Sequence, residues 1–441
     1  MVKVGVIGGG QLAWMMAPAA QTLGLELWVQ TPDLSDPVGM AIFPQNMILA
    51  PINDADATAI LAKQCDVVTF ENEFVDLHQL APLAQADVQF YPRLRSLQPL
   101  LDKYHQRQCF QQLGIPTPAF ELLDTGRDAG KNMPAKVGSP NSTQSWAESL
   151  GQSWEPRTTV VSFPMALKAR RHGYDGKGTY IVKTAAELTA ILTSQPDTPW
   201  LIEEFVPFER ELAVMAARSV NGDILVYPVV ETQQEHQVCR RVFMVPGWDQ
   251  GIQQQVEAIT HTLLTHLDFV GVLGIEFFLT ADGRVLVNEV APRTHNSGHH
   301  TIDACVTSQF EQQLRAVTGL PLGPVHPTCA AAVMVNLLGY EESEHSYQAQ
   351  RDQLAALPQT QVYWYGKSVC HPGRKMGHVT AIIPNNINDT SDTNVASDTS
   401  DTNVASDTND HPEMASEESE ILRQRLVAIA TRIEQIWDGS G

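Results

Sequence analysis

Cysteine, positive charge and long apolar runs are all in short supply in this chain. Its six cysteines, Cys65, Cys109, Cys239, Cys305, Cys329 and Cys370, are scattered, with no C-x-x-C pair and no histidine pair at zinc-site intervals. Buried reduced thiols are expected. Lys and Arg number 29 against 50 Asp and Glu, for a net charge of −21, the wrong sign for a general nucleic-acid binder. Any phosphate binding must therefore be local. No apolar run approaches the ~18 residues of a membrane span, and Met1 leads almost at once into a strand-like run instead of a charged and then apolar leader. The expectation is a soluble cytoplasmic protein with no nucleic-acid and no membrane partner. The Walker A pattern G-x-x-x-x-G-K-[ST] is absent as well. What is present looks globular: 441 residues, 43% hydrophobic and 18% charged, enough for about three domains.

The stretch Gly271 to His300 organises the rest. Two apolar runs, Val272 to Leu279 and Val285 to Val290, flank Asp282-Gly283, a dipeptide suited to a two-residue hairpin turn. With that turn Ala281 faces Arg284, and pairing back along the ladder sets Glu276 opposite Glu289. Directly opposed Cβ atoms lie about 4.5 to 5.5 Å apart, and like charges there are unfavourable unless something offsets them. A hard divalent cation does so, and Mg²⁺ is typically held by one or two carboxylates together with substrate phosphates. Asn288 precedes Glu289, and Pro292 to His300 packs donors of several kinds into a Gly/Pro-marked loop. A register slip, or a buried Arg partner for Glu276, is the bland alternative.

From the start of the chain, Val2 to Gly10 is a β-branched run ending in glycines, Gln11 to Leu23 has helical spacing, and Leu25 to Val29 is a second strand. Gly8, Gly10 and Ala13 fit G-x-G-x-x-A, with Asp33 following. Three readings are open: a dinucleotide site, a phosphorylated small substrate at the helix N-terminus, or a purely structural turn. Cys65 to Phe70 is a buried strand delivering Glu71, Asn72 and Glu73 to the end where open α/β sheets bind ligands. Leu101 to Leu113 is a helix stopped by Gly114, Pro116 and Pro118; the first domain boundary is placed just ahead of it.

Asp124 to Thr159 is polar and aperiodic, an inserted loop. Pro164 to Lys168 is a strand, and Gly173 to Gly178 is a glycine-rich turn into a strand at Thr179 to Val182. That turn can fold backbone donors over phosphates, or can be a simple hairpin. Trp200 to Phe205 is a strand ending in acids; Glu209, Arg210 and Glu211 precede another at Leu212 to Ala217. Such acids can read an adenine edge and a ribose, or can be surface charge. Leu225 to Val230 continues the sheet and Gln253 to Leu267 is a helix. A third region has strands at Ala330 to Leu338 and Val362 to Tyr365, then the cationic loop Gly366 to His378, whose Arg and Lys suit a phosphate ester. Asp389 to Ser397 recurs as Asp398 to Ser406 and restarts at Asp407; Asn385 to Glu420 is acidic, lacks Lys and Arg, and is expected to be disordered. Leu422 to Trp437 reads as a closing amphipathic helix.

In this order the motifs resemble the ATP-grasp superfamily and, within it, the 5-(carboxyamino)imidazole ribonucleotide synthetase family. Gly8 to Leu12 (GGGQL), Gly173 to Gly178 (GYDGKG), Asn288 to His299 (NEVAPRTHNSGH) and Pro372 to His378 (PGRKMGH) carry the resemblance. It implies a mixed α/β and α+β, ATP-grasp architecture: a Rossmann-like N-terminal domain over 1–98, a two-subdomain ATP-grasp domain over 99–322, and a small C-terminal domain over 323–441. The implied reaction uses ATP and Mg²⁺ to convert bicarbonate to carboxyphosphate, which carboxylates 5-aminoimidazole ribonucleotide, and the resemblance implies a homodimer. By the same resemblance, Arg93, Lys168 and Gly173, Tyr174, Asp175, Gly176, Lys177, Gly178 and Thr179 hold ATP phosphates. Glu203, Glu204, Phe205 and Val206 line adenine, Glu211 the ribose, and Gln234 lies near the nucleotide. Glu276, Asn288 and Glu289 ligate Mg²⁺. Arg293, His295 and Asn296, with Lys177, are catalytic. Gly10, Gln11, Leu12, Glu73, Tyr174, Asp175, Lys367, Arg374 and Lys375 bind the ribonucleotide.

Two departures stand out. Ala13-Trp14 replaces the Gly-Arg pair of the commoner GGGQLGRM, and Gln234 stands where a histidine is expected, with His236 close by. Rival readings are an NAD-dependent oxidoreductase built on Gly8, Gly10 and Ala13, a formate-dependent glycinamide ribonucleotide transformylase, and an inactive nucleotide-binding scaffold.

Overall fold

The computed structural model of the protein describes residues 1–123, 162–171, 173, 178–385 and 412–439. The inserted stretch Asp124 to Thr159, the repeats, and Tyr174, Asp175, Gly176 and Lys177 lie outside the described residues.

Four parallel strands open the chain: β1 (Lys3–Ile7), β2 (Glu26–Thr31), β3 (Met47–Leu49) and β4 (Val67–Phe70), in the order β3-β2-β1-β4. β1 and β4 are almost wholly buried, as strands covered on both faces must be. They are neighbours although not consecutive, so the ends of β1 and β4 flank a topological switch point, where open α/β sheets present ligands. Asp54, Asp76 and Asp102 cap the helices Ala55–Gln64, Leu77–Gln85 and Lys103–Gln112 by accepting from first-turn N–H groups.

A second sheet is antiparallel, with β5 (Phe120–Leu123), β6 (Met165–Ala169), β7 (Thr179–Val182) and β8 (Trp200–Glu204) in the order β5-β8-β6-β7. The third is the largest. It comprises β9 (Phe208–Arg218), β10 (Ile224–Val226), β11 (Val230–Glu235), β12 (Val238–Met244), β13 (Gly271–Thr280), β14 (Val285–Ala291), β15 (Ala331–Leu338), β16 (Thr360–Trp364) and β17 (Lys375–Ile383). Its order is β14-β13-β9-β11-β12-β15-β17-β16, with β10 on β9. The third region thus extends the central sheet edge to edge, through β12 pairing with β15.

The closing helix Pro412–Asp438 buries Leu422, Leu426, Ala430, Ile433 and Trp437, a helical stripe, in one core with β15 and β17. Trp437 Nε1 donates to Leu338 O at 2.6 Å. Its first turns correct one expectation: disorder reaching Glu420 is contradicted by helical backbone from Pro412. Three further differences matter. Glu209, Arg210 and Glu211 lie inside β9 and not before it. The run Leu225 to Val230 breaks into β10 and β11. The basic stretch ending at His378 is not all loop, because Lys375 already begins β17, whose buried KMGHVTAII pattern continues past the motif. The six cysteines are free, five of them buried and Cys65 half-buried. Among the described residues, no helix is long and apolar enough to cross a membrane.

Candidate active site

The hairpin expected at Asp282-Gly283 forms, but with a different turn. Gly283 N donates to Thr280 O and Thr280 N donates to Arg284 O, so the loop is Ala281, Asp282 and Gly283, with Gly283 left-handed at φ 78°. This is the three-residue hairpin that ends in a left-handed glycine. The longer turn pairs Leu279 with Val285 and Phe277 with Val287, one residue out of the expected register. A bulge then skips Asn288, and Glu276 pairs with Glu289 after all. A bulge brings consecutive side chains toward one side and bends the strand; here Asn288 and Glu289 both line the cleft that Glu276 lines.

The helix Lys103–Gln112 holds this bulge in place. Arg107 Nη2 donates to Asn288 O at 2.6 Å. Gln106 takes the place of a neighbouring strand beside Val290, with Nε2 donating to its carbonyl at 2.9 Å and Oε1 accepting from its N–H at 3.2 Å. Lys103 forms an ion pair with Glu289. From the second sheet, Lys168 Nζ reaches Asn288 Oδ1 at 2.8 Å and Glu203 Oε2 at 2.8 Å. Glu203 is 1% exposed and also takes Arg107 Nε at 2.7 Å. Burial pushes its carboxyl up, and the two cations overcome that and hold it down at about 2. Among the expected adenine-lining residues, Glu203 therefore has its carboxylate committed to anchoring Lys168.

Burial and the facing Glu289 push the Glu276 carboxyl up to about 7. Burial and Glu276 push Glu211, one strand over on β9, to about 7 as well. Burial acts upward on Glu289 too, but Lys103 holds it below the usual range. A pair of facing carboxylates with an amide oxygen beside them is an oxygen-only donor set, which fits Mg²⁺ and its preference for hard ligands.

Beyond the hairpin, Arg293 grips Glu73 with two nitrogens, Nη2 to Oε1 measuring 2.8 Å. This joins the loop to the end of β4. His295 Nδ1 lies 2.9 Å from Ser297 Oγ, and burial followed by the Arg293 charge lowers its pKa to about 4. Gln309 fixes the loop backbone, with Oε1 accepting from His295 N at 2.9 Å and Nε2 donating to His295 O at 2.8 Å. At the far end Lys367 Nζ donates to Gln11 Oε1 at 2.9 Å and to Lys375 O at 2.6 Å, which joins the cationic loop to the first helix.

The first glycine turn is closed over by a side chain. A Cβ on Gly8 or Gly10 would collide with the Glu71 carboxylate, whose charged form the nearby Leu12 backbone N–H favours. The helix N-terminus where a dinucleotide pyrophosphate sits in oxidoreductases is filled by this acid.

One cleft of about 2500 Å³ takes in almost every expected residue that is described: Gly10, Gln11, Leu12, Glu73, Lys168, Gly173, Thr179, Glu203, Glu204, Phe205, Val206, Glu211, Gln234, Glu276, Asn288, Glu289, Arg293, His295, Asn296, Lys367, Arg374 and Lys375. Gly178 flanks it, its carbonyl accepting from Ala169 N at 2.6 Å. Arg93 is a correction. It is exposed, does not line the cleft, and acts on Asp268, the residue that Arg95 binds at 2.7 Å. Lys103 supplies the cation at the Glu276–Glu289 pair instead. The i, i+4 spacing of Lys103 and Arg107 on a helix after the Asp102 cap was the available signal; their distance in sequence from Glu289 and Glu203 hid the pairing.

A parallel α/β domain followed by two antiparallel sheets that face each other across a cleft lined by Lys168, Glu276 and Glu289 is the ATP-grasp architecture. Family descriptions match in the same order: a ribonucleotide synthetase preATP-grasp domain over residues 1–99, an ATP-grasp domain over 142–310, and a phosphoribosylaminoimidazole carboxylase C-terminal domain over 332–390. The N5-carboxyaminoimidazole ribonucleotide synthase of Synechococcus elongatus is 52% identical over 86% of this chain and 88% of its own length. Among solved structures, the carboxyaminoimidazole ribonucleotide synthase of Aspergillus clavatus complexed with ATP superposes with a TM-score of 0.76 at 28% identity, over 98% of this chain and 99% of its own. The same enzyme with ADP and 5-aminoimidazole ribonucleotide gives 0.76 at 26%, with the same coverage. The chain belongs to the N5-carboxyaminoimidazole ribonucleotide synthase family.

Proposed function

We infer that this chain catalyses the ATP-dependent carboxylation of 5-aminoimidazole ribonucleotide by bicarbonate, releasing ADP and phosphate, in purine biosynthesis. The observation that carries this reading is the meeting, in one cleft, of the Glu276–Glu289 pair with the Lys367–Gln11 contact. One end has the chemistry for a metal-bound nucleotide and the other for a phosphate ester. The family membership supports it, and the glycine turn filled by Glu71 removes the ground for an NAD-dependent oxidoreductase.

In this reading an oxygen of bicarbonate attacks the γ-phosphorus of ATP, the bond to the β-phosphate oxygen breaks, and ADP leaves carboxyphosphate behind. The exocyclic amine then attacks the carbonyl carbon, phosphate departs, and the amine proton leaves with it. Lys168, held by Glu203, places its charge on the ATP phosphates beside Gly173 and Thr179. Glu204, Phe205 and Val206 line the adenine, Glu211 the ribose, and Gln234 closes the nucleotide end. Glu276, Asn288 and Glu289 would hold Mg²⁺, whose charge offsets that on the transferring phosphoryl group. Arg293, locked onto Glu73, and His295, kept neutral by burial, orient bicarbonate together with Asn296. Gln11, Lys367, Arg374 and Lys375 grip the ribonucleotide phosphate. Carboxyphosphate is short-lived in water, so holding donor and acceptor together away from solvent is the site's main task.

The domain limits at 98 and 322, a homodimer and a cytoplasmic location belong to the same reading and rest on the family likeness. The test is a coupled ADP-release assay with bicarbonate and aminoimidazole ribonucleotide each omitted in turn. ADP release that needs both supports it; release that needs formate and glycinamide ribonucleotide instead overturns it.

A further inference from the structure

Behind the loop Pro292 to His300 is a buried contact that the carboxylation chemistry does not by itself require. Asn296 Nδ2 donates to Asn336 Oδ1 at 2.9 Å, and Asn336 Nδ2 donates back to Asn296 Oδ1 at 2.7 Å. Asn336 Nδ2 has a second hydrogen, and it goes to Cys239 O at 2.8 Å. Asn336 is 0% exposed, the one amide in the otherwise apolar strand AAVMVNLL. An aliphatic side chain would fill such a position without needing partners, because a buried amide is costly unless it is fully hydrogen-bonded.

Its three contacts define an orientation. The Cys239 carbonyl can only accept, so Asn336 must turn its nitrogen that way, and its oxygen is then left for Asn296 Nδ2. The reciprocal pair fixes the amide of Asn296 in turn. An asparagine amide has two N–H donors and two oxygen lone pairs; after the exchange with Asn336, one donor of Asn296 remains for the cleft that this residue lines. Cys239 pairs directly with Gln234 across β11 and β12, so the same side chain ties the loop to the strand at the nucleotide end. Asn336 also pairs with His378 across β15 and β17, and the His378 ring lies 4.9 Å from that of His299. Two neighbouring positions of the third region therefore meet loop positions 296 and 299.

We propose that Asn336 is a positioning residue for carboxylation: from the third region of the chain, it orients the Asn296 amide so that its remaining N–H faces bicarbonate and carboxyphosphate. This rests on the function proposed above. Asn336 touches no substrate and acts only through Asn296.

The test is a double-mutant cycle of Asn336→Asp and Asn296→Ala in the full chain. The KM values for bicarbonate, ATP and aminoimidazole ribonucleotide are measured, with the ratio of ADP released to amine carboxylated. Asn336→Asp removes the two donated bonds at nearly constant shape. The expected result is a KM for bicarbonate raised roughly tenfold, an unchanged KM for ATP, and ADP release in excess of product. In the Asn296→Ala background the same change should have little further effect. Equal loss toward all three substrates, or additive effects of the two substitutions, would mean a merely structural role and overturns the proposal. Should Asn336→Asp fail to fold, Asn336→Ala removes the partner without placing a charge in the core and is read the same way. Failure of the wild type to release ADP with bicarbonate sinks the proposed function; wild-type activity with normal bicarbonate KM in the variant sinks this inference alone.

Discussion

Glu276 and Glu289 face each other across β13 and β14 because Asn288 is bulged out between them and the turn. The pair is a single unit with Lys103 and Lys168 around it, and several outcomes depend on it.

Glu289→Gln is expected to abolish ATP hydrolysis while leaving the fold intact, since the strand keeps its hydrogen bonds and only a charged ligand is lost. Circular dichroism and ADP release check this together. Near-normal turnover would remove Glu289 from the metal site.

Protons should compete with the metal. Glu276 is pushed up to about 7, from 4.5, by burial and by Glu289. Between those pH values the folded chain holds a proton that the unfolded chain has released, so this group's stabilising contribution is full at low pH and is lost as pH rises through about 7. Comparing wild type with Glu276→Gln cancels groups distant from it and reads Glu276 together with Glu211, whose upward shift Glu276 helps to cause. Without metal, wild type should lose melting temperature relative to the variant between pH 5.5 and 8. Mg²⁺ should raise the wild-type melting temperature more at pH 8 than at pH 6; the reverse order would contradict the assignment.

Arg107 and Glu203 are each 1% exposed. Removing one member of such a pair leaves a buried charge under-compensated, a loss on the order of 3–5 kcal/mol. Arg107→Met should therefore lower the urea midpoint, and Glu203→Gln, which leaves both Arg107 and Lys168 without their carboxylate, should lower it further.

Lys103→Ala should raise the KM for ATP, whereas Arg93→Ala should leave it unchanged, because Arg93 lies by Asp268 outside the cleft. An equal effect of the two would restore the sequence-based expectation for Arg93.

Loss of the Lys367 contact should act on the other substrate. Lys367→Ala is expected to raise the KM for aminoimidazole ribonucleotide about tenfold or more with little change for ATP, a charge-assisted grip on phosphate being strong. Initial rates with each substrate varied separately decide it.

How much of this was legible in the sequence varies from residue to residue. The facing of Glu276 and Glu289 was read correctly from a turn that was read wrongly: the extra loop residue shifts the ladder by one, and the Asn288 bulge shifts it back. A bulge leaves no mark in an alternating apolar pattern, so only the end result could be inferred. Lys367 and Gln11 were both expected at the ribonucleotide, and their contact across 356 positions follows from the order of motifs, not from spacing. Arg93 failed because a cation near a domain boundary can point to either side of the helix that follows. Glu203 is assigned to the adenine by its strand end and by the resemblance, and no sequence pattern distinguishes an acid facing the cleft from one turned inward toward Arg107. Asn336 gives no signal within its apolar run, since a single amide among aliphatic residues does not alter the period of a strand.

The ladder from β12 to β15 has a mechanical result. Because the strand that carries Cys239 is hydrogen-bonded straight into the strand that carries Asn336, no flexible linker separates the nucleotide end from the ribonucleotide end. Their spacing is set when the backbone folds, before either reactant arrives.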